Sequence, residues 1–560
     1  MRLTPLLDTM TLEEKIGQLF MLAFAGNRMD EARVLFEEHF VGGAYLSNDN
    51  IPTARAAVQL TNTLQGYAGN TRLRIPLLLG CDQEGAWGVM IPDSTPGPGN
   101  MALGATHKPH LAYEMYKVLG TELAATGLNT LLAPCADCNS NPQNSIIGMR
   151  SFGERPELVA SMVAAAVQGA HAGGVLATVK HFPGHGDTRL DTHRGLPTVG
   201  RPLDELRSID LYPFAEGIKA GADIVMTAHI VFSALDQQAP ATLSRIVLQD
   251  VLRGELGFEG LILSDSMNMG AMKKHYDPRW AVVQALKAGV DMIMLAEEHY
   301  DHDATSYVQQ QISLLEAVAK AVISGELPIE RVNDAVRRVL QAKEKMGSST
   351  APSEEKALTI VGAPAHRQIE LDVARHAVAI LRDKYGNLPV PEERAVVLVN
   401  TTVRTAYEPL GNTRGIGPNQ TTPAFDFFTQ ALSKRRTLQQ VLTAEDILNG
   451  TVPELSRDTV VIAVTENYPL PGMDFDQSSQ PEVIRRLLSV APHQLVVVAL
   501  RDPYELAALP DIPAYVCAFS FRPCAAEAAA QVLCGEVPAA GHMPVSVPAA
   551  GLAAWTAGNP

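Results

Sequence analysis

Cysteine is scarce: Cys81, Cys135, Cys138, Cys517, Cys524 and Cys534 are the six in 560 residues. So few in so long a chain do not make a disulfide framework. Cys135 and Cys138 are spaced as Cys-x-x-Cys, but no second pair and no Cys-x-His follows at ligand spacing. They are read as small residues near a strand end rather than as a zinc site. No apolar run approaches the roughly eighteen residues of a membrane span. No basic-then-apolar leader opens the chain, which therefore reads as soluble and cytoplasmic. Basic residues are the minority, 45 Lys and Arg against 61 Asp and Glu, for a net charge of −16. That balance argues against non-specific nucleic-acid binding and does not identify a substrate. Neither glycine-rich phosphate signature, G-x-G-x-x-G or G-x-x-x-x-G-K-[ST], is present. Internal repeats and low-complexity tracts are also missing.

What is present is an ordinary globular composition, 46% hydrophobic and 19% charged, with enough apolar residues for a large core. Through about residue 345, short apolar runs alternate with amphipathic stretches, as in repeated βα units. Strands are expected at 19–25, 41–46, 76–80, 130–134, 175–179, 224–228, 261–264 and 290–295. Helices are expected at 53–65, 110–126, 156–172, 244–252, 280–288 and 306–323. Eight such strands are the number for a closed parallel (β/α)8 barrel, with an open doubly wound sheet as the alternative. Thr11, with Glu14 three residues on, is spaced as a helix N-cap and capping box. A small, polar stretch from Gly347 reads as a linker. The expected units are a barrel over 1–346, a linker over 347–364, and a smaller α/β sandwich domain over 365–560. That second unit should open with a helix at 365–381. Strands should follow at 395–399, 459–464, 494–500 and 514–519, and an alanine-rich helix at 525–533.

Polar residues gather just after the expected barrel strands: Asp82, Gln83 and Glu84; Asp137, Asn139 and Arg150; His229; Asp265 and Asn268. One such residue would be a helix cap. A set at successive strand ends is better explained by a shared pocket at the carboxyl face. The densest stretch is 180–193, Lys-His-Phe-Pro-Gly-His-Gly-Asp-Thr-Arg-Leu-Asp-Thr-His. Asp191 and His193 stand two apart, so in an extended loop both point to one side. The carboxylate can then accept from one imidazole nitrogen and aim the other, making His193 a proton shuttle. Asp265 suits an ionised carboxylate nucleophile. One attacking carboxylate and one proton shuttle meet the needs of retaining glycosidic cleavage, with histidine in the place usually held by a second carboxylic acid. Asp82, Arg150, Lys180 and His181 offer donors and acceptors suited to sugar hydroxyls. For Arg150 and Lys180 an internal salt bridge is an equal alternative.

Lys180-His181-Phe182-Pro183-Gly184-His185-Gly186, followed by Asp191-Thr192-His193, closely resembles the K-H-F-P-G-H-G…D-[ST]-H signature of family 3 glycoside hydrolases, in the β-N-acetylglucosaminidase subgroup. Other pieces match in order: the segment from Thr11, Asp82-Gln83-Glu84-Gly85, Ile147-Gly148-Met149-Arg150-Ser151-Phe152-Gly153, Thr227-Ala228-His229, Ser264-Asp265-Ser266-Met267, and the stretch from Gly535. The resemblance implies a (β/α)8 barrel followed by an α/β sandwich domain. It implies Asp265 as nucleophile and His193 as general acid/base supported by Asp191. Asp82, Arg150, Lys180 and His181 would hold the sugar. It implies a carbohydrate substrate such as N-acetylglucosamine glycosides of cell-wall fragments, in peptidoglycan recycling, with no metal or organic cofactor. A β-glucosidase, a phosphorylase or a non-catalytic sugar-binding protein are the alternatives. The family's D-Q-E-G-G-R-V-x-R is here Asp82-Gln83-Glu84-Gly85-Ala86-Trp87-Gly88-Val89-Met90, without either arginine. Trp87 is read as core packing before sugar stacking.

Overall fold

The computed structural model describes residues 2–26, 28–144, 146–296, 304–346, 351–404, 419–468 and 477–556. Eight parallel strands form the first sheet: Phe20–Leu22, Gly43–Tyr45, Leu78–Cys81, Thr130–Leu131, Leu176–Phe182, Ile224–Thr227, Leu261–Leu263 and Ile293–Leu295. Each pairs with its neighbour in sequence, and the first also pairs with the eighth. A parallel bridge between Leu263 and Met292 brings the seventh strand to the eighth. The sheet is thus a barrel, not an open doubly wound sheet. All eight expected strands are found.

Alternation along the strands builds two packing layers. Met21, Leu78, Leu176, Met226, Leu263 and Met294 pack together inside the barrel. Phe20, Leu22, Leu79, Val225 and Ile262 belong to the larger core shared with the surrounding helices. Thr11 caps the helix Leu12–Gln18 as its spacing predicts, with reciprocal bonds to Glu14.

The fifth strand differs from expectation. It runs on through Phe182, so Lys180 and His181 are strand residues rather than the start of a loop. Its pairing register shifts between Val179 and Phe182, and such irregularities re-aim side chains at barrel rims. The expected linker is also more structured than its composition suggests. Residues 347–350 lie outside the described residues, but Glu354–Ile360 is a helix capped by Ser353.

The second sheet has six strands, in the order Ala379–Asp383, Ala514–Cys517, Leu495–Leu500, Thr459–Glu466, Ala395–Asn400 and Leu438–Leu442. All neighbours are parallel except the first pair. The expected helix 365–381 ends at Ala377 and hands over to the antiparallel edge strand. The two units share apolar surface: Ala86, Met101, Ala102, Ala105 and Met149 belong to the same cluster as the second sheet's core.

Glu466, at the end of its strand, is fully buried and accepts from Tyr468 Oη (2.7 Å) and the Phe425 N–H (3.2 Å). Burial pushes its carboxyl from 4.5 up to about 7. The folded chain therefore holds a proton there that the unfolded chain gives up, so its contribution is present below pH 4.5 and lost as pH rises toward 7. Replacing Glu466 with Gln removes that loss. Urea unfolding of both proteins is expected to show the variant gaining about 3 kcal/mol on wild type between pH 4.5 and 7.5. An offset that does not change with pH would count against the shift.

Candidate active site

The polar residues at the strand ends converge at the carboxyl face, the face where barrels of this class carry their sites. At its centre is Glu84. Its carboxylate takes a bidentate pair from Arg150, Nε to Oε2 at 2.8 Å and Nη2 to Oε1 at 2.9 Å, and also contacts Lys180 Nζ. Lys180 reaches Asp82 as well, whose other oxygen accepts from Tyr45 Oη at 3.0 Å. All four charged groups are buried, and two carboxylates balance two cations. Burial alone would discharge Lys180, but Asp82 and Glu84 outweigh it and hold the ammonium charged. Burial likewise opposes the Glu84 charge, and Arg150 with Lys180 brings its carboxyl well below the usual range. The salt-bridge alternative for Arg150 and Lys180 therefore holds, without removing either from the pocket.

His181 is fixed by two partners. Its Nδ1 lies 2.8 Å from Asp137 Oδ2 and its Nε2 lies 3.3 Å from Arg150 Nη2. A guanidinium only donates, so the network puts the proton on Nδ1 and leaves Nε2 as acceptor. Asp137 also takes the His181 and His185 backbone N–H groups and the Cys135 thiol. Glu84 and Asp137 both stand among the strand-end polar residues of the sequence, but without a role. The structure makes them the two hubs that orient Lys180, Arg150 and His181.

Cys135 Sγ, Asp137 and His181 bring ligand atoms within 4.8 Å of one another, a spacing that could hold a metal ion. The chemistry fits poorly: Asp137 already accepts from the His181 ring, from the His181 and His185 N–H groups and from the Cys135 thiol, which leaves its carboxylate little room for an ion. Cys138 donates to the Ile209 carbonyl and is likewise a thiol. Trp87 is buried beside Cys135, Ile146 and Ile147, with the Arg150 guanidinium 5.2 Å from its ring centre.

Asp191 and His193 form the expected dyad, Oδ1 to Nδ1 at 2.6 Å, and Asp191 Oδ1 also accepts the His193 N–H at 2.9 Å. The third histidine of the motif serves the loop instead. His185 Nδ1 lies 2.8 Å from Thr188 Oγ1, and its Nε2 lies 3.3 Å from Thr192 Oγ1. Burial lowers it to about 4, so it stays neutral. Gly186 passes so close to Cys138 that an added Cβ would lie 1.6 Å from the Cys138 carbonyl oxygen. No other residue fits there.

The loop holding the dyad lies against the short helix Gly270–Lys273, which directly follows the loop holding Asp265. The Ala271 N–H donates to the Thr192 carbonyl (2.8 Å), and Lys274 Nζ donates to Arg194 O (2.7 Å). A Cβ on Gly270 would sit 2.1 Å from the His193 carbonyl oxygen. His229, at the end of the sixth strand, places Nε2 2.9 Å from the Ser266 carbonyl and so braces the same loop. Burial pushes the Asp265 carboxyl up. The imidazoles of His181, His229 and His193 and the Ser266 N–H (2.8 Å) more than reverse this, and the group stays below the usual carboxylate range. The structure thus gathers Asp82, Arg150, Lys180 and His181 in one buried network, and brings Asp191, His193 and Asp265 together beside it.

Comparison with known proteins agrees in family and in fold. Residues 11–342 match the glycosyl hydrolase family 3 N terminal domain. Beta-hexosaminidase A of Pseudoalteromonas piscicida is 34% identical over 384 residues, 66% of this chain, and the match spans 63% of that relative's length. A beta-hexosaminidase of Xylella fastidiosa (strain 9a5c) is 32% identical over 343 residues, 59% of this chain and 100% of its own. The structure of a glycoside hydrolase family 3 beta-N-acetylglucosaminidase from Paenibacillus sp. str. FPU-7 superposes with a TM-score of 0.82. Its identity is 31%, over 96% of this chain and 99% of that one. With more than half its length matched by that domain and both units superposed, the chain belongs to glycosyl hydrolase family 3.

Proposed function

We propose that the protein is a retaining exo-β-N-acetylglucosaminidase that removes terminal N-acetylglucosamine from glycosides, cell-wall fragments of peptidoglycan recycling among them, in the cytoplasm. The catalytic unit is assigned to 1–346, the connection to 347–364 and the second unit to 365–560. Asp265 attacks the anomeric carbon and forms a glycosyl ester as the glycosidic bond breaks. His193, with Asp191 balancing its imidazolium, gives the departing oxygen its proton. The neutral imidazole then takes a proton from the water that attacks the same carbon, and Asp265 leaves as carboxylate. Two inversions give net retention. Asp82, Arg150, Lys180 and His181 hold the sugar's hydroxyls.

One observation carries this assignment above the others: the loop with the 2.6 Å Asp191–His193 pair packs on the helix that follows Asp265, and the His193 ring helps hold the Asp265 carboxyl below the usual range. The named activities of the relatives from Pseudoalteromonas, Xylella and Paenibacillus support the choice of sugar.

Proton NMR of a reaction with p-nitrophenyl N-acetyl-β-glucosaminide is the test. The β-anomer of free N-acetylglucosamine should appear first, with the matching glucoside cleaved more slowly. Initial release of the α-anomer would rule out retention. Sugar 1-phosphate formed in phosphate buffer would make the protein a phosphorylase.

A further inference from the structure

The site loop after the third strand, residues 82–90, faces two ways. Inward, it presents the carboxylates of Asp82 and Glu84 to Lys180. It is pinched shut by the Glu84 N–H donating to Gly88 O (3.0 Å) and the Met90 N–H donating to Gln83 Oε1 (2.8 Å). Outward, its backbone carbonyls point at the second domain. Arg522 Nη2 donates to Ala86 O at 2.7 Å, with Gly85 O next nearest at 3.5 Å. Asn419 Nδ2 donates to Val89 O at 3.0 Å. Arg522 is itself braced. It is buried at the N-cap of the helix Pro523–Leu533, and its Nη1 lies 3.3 Å from Gln420 Oε1. Gln420 Nε2 in turn donates to the Phe521 carbonyl at 3.0 Å. The Ala86 side chain, between these bonds, is part of the second sheet's apolar core. The loop carries neither of the arginines found in the related motif, and the guanidinium touching it comes from the other domain.

We propose that Arg522 is a positioning residue of the barrel's site: through the Ala86 carbonyl the second domain sets the shape of the 82–90 loop, and with it the placement of the sugar-holding carboxylate of Asp82. The sugar-holding part rests on the function proposed above; the loop-shaping part does not. A buried guanidinium on a carbonyl is a strong, directional tie. The loop's inner face holds two buried carboxylates against two cations, where a small displacement breaks several charged contacts at once. The 343-residue match to the Xylella relative accounts for that whole protein and only 59% of this chain, so a barrel of this type can exist without such a partner. Here its loop is built against one.

The full chain is compared with Arg522→Ala, Arg522→Lys and Arg435→Ala. Arg435 ties Glu527, midway along the same helix, to Glu536 just past its end (2.6 and 2.9 Å), and its side-chain ion pairs and hydrogen bonds do not involve the 82–90 loop. It controls for general loosening of the second domain. Amide hydrogen exchange in 82–90 should quicken at least tenfold in Arg522→Ala, less in Arg522→Lys, and not in Arg435→Ala. With p-nitrophenyl N-acetyl-β-glucosaminide, KM should rise about tenfold in Arg522→Ala with kcat changed far less. Added guanidinium ion at millimolar concentration should bring KM partly back. Loop exchange unchanged in both Arg522 variants overturns the proposal whatever the substrate. So does faster exchange with KM unmoved, or an equal rise of KM in Arg435→Ala. Wild-type protein that turns over no glycoside sinks the functional assignment alone, and the exchange comparison still decides whether Arg522 shapes the loop.

Discussion

Asp265→Asn is expected to lower kcat by on the order of 10⁴-fold or more, a barrier increase of about 5 kcal/mol, while the fold stays intact. The amide is nearly the same size and can still accept the Ser266 N–H that now reaches Oδ1 at 2.8 Å. What it cannot do is form the glycosyl ester, because an amide oxygen is a poor nucleophile and carries no charge. The environment argues for an ionised group: burial works against the charge, and three imidazoles and a backbone donor overcome it. The asparagine keeps the size of the side chain and its contact with the Ser266 N–H, so the loss falls on turnover, not on folding. Steady-state rates and the thermal midpoint, measured on the same preparation, check this. Turnover within tenfold of wild type would take the nucleophile's role away from Asp265.

The second large effect is expected at His193. His193→Ala should lose about 10²- to 10⁴-fold in kcat on substrates with poor leaving groups, the usual range for a lost general acid/base. The dependence on leaving group is more telling than the size. A nitrophenolate departs without a proton, so bond cleavage should be spared while the later attack by water, which still needs a base, is slow. A burst of nitrophenol followed by slow steady release is the expected trace. Azide, which attacks without giving up a proton, should speed the second phase. Asp191→Asn should show the same pattern more weakly, because the imidazole remains but loses the carboxylate 2.6 Å from its Nδ1. Equal losses on all leaving groups, with no azide effect, would assign His193 to sugar binding instead.

The barrel was legible because its strands are short, nearly unbroken apolar runs, as expected when both faces are covered. Two strands of the second sheet were not. Leu438–Leu442 is Leu-Gln-Gln-Val-Leu, an edge strand with polar residues that break the apolar signal. Ala379–Asp383 follows its helix after a single residue, Val378, so the helical pattern runs into it without a turn signal. In the site, residues adjacent in sequence were readable: Asp191 and His193 pair as their spacing implies. Glu84 and Asp137 were visible only as polar residues at strand ends. The charged and ring partners they orient are far off in sequence, 66 positions for Glu84–Arg150 and 44 for Asp137–His181. That pairing is decided by how the strands close, which no local pattern encodes. His185 shows the converse: it sits in the most informative motif of the chain, yet its ring holds two threonines of the loop.

The cluster that joins Met101, Ala102 and Ala105 of the barrel side to the second sheet bears on what heat does to this protein. Neither half could melt first without handing a wet, greasy face to the survivor. Calorimetry should therefore record one endotherm for the whole molecule, and a gene cut at the connecting segment should yield fragments that clump unless both are made together.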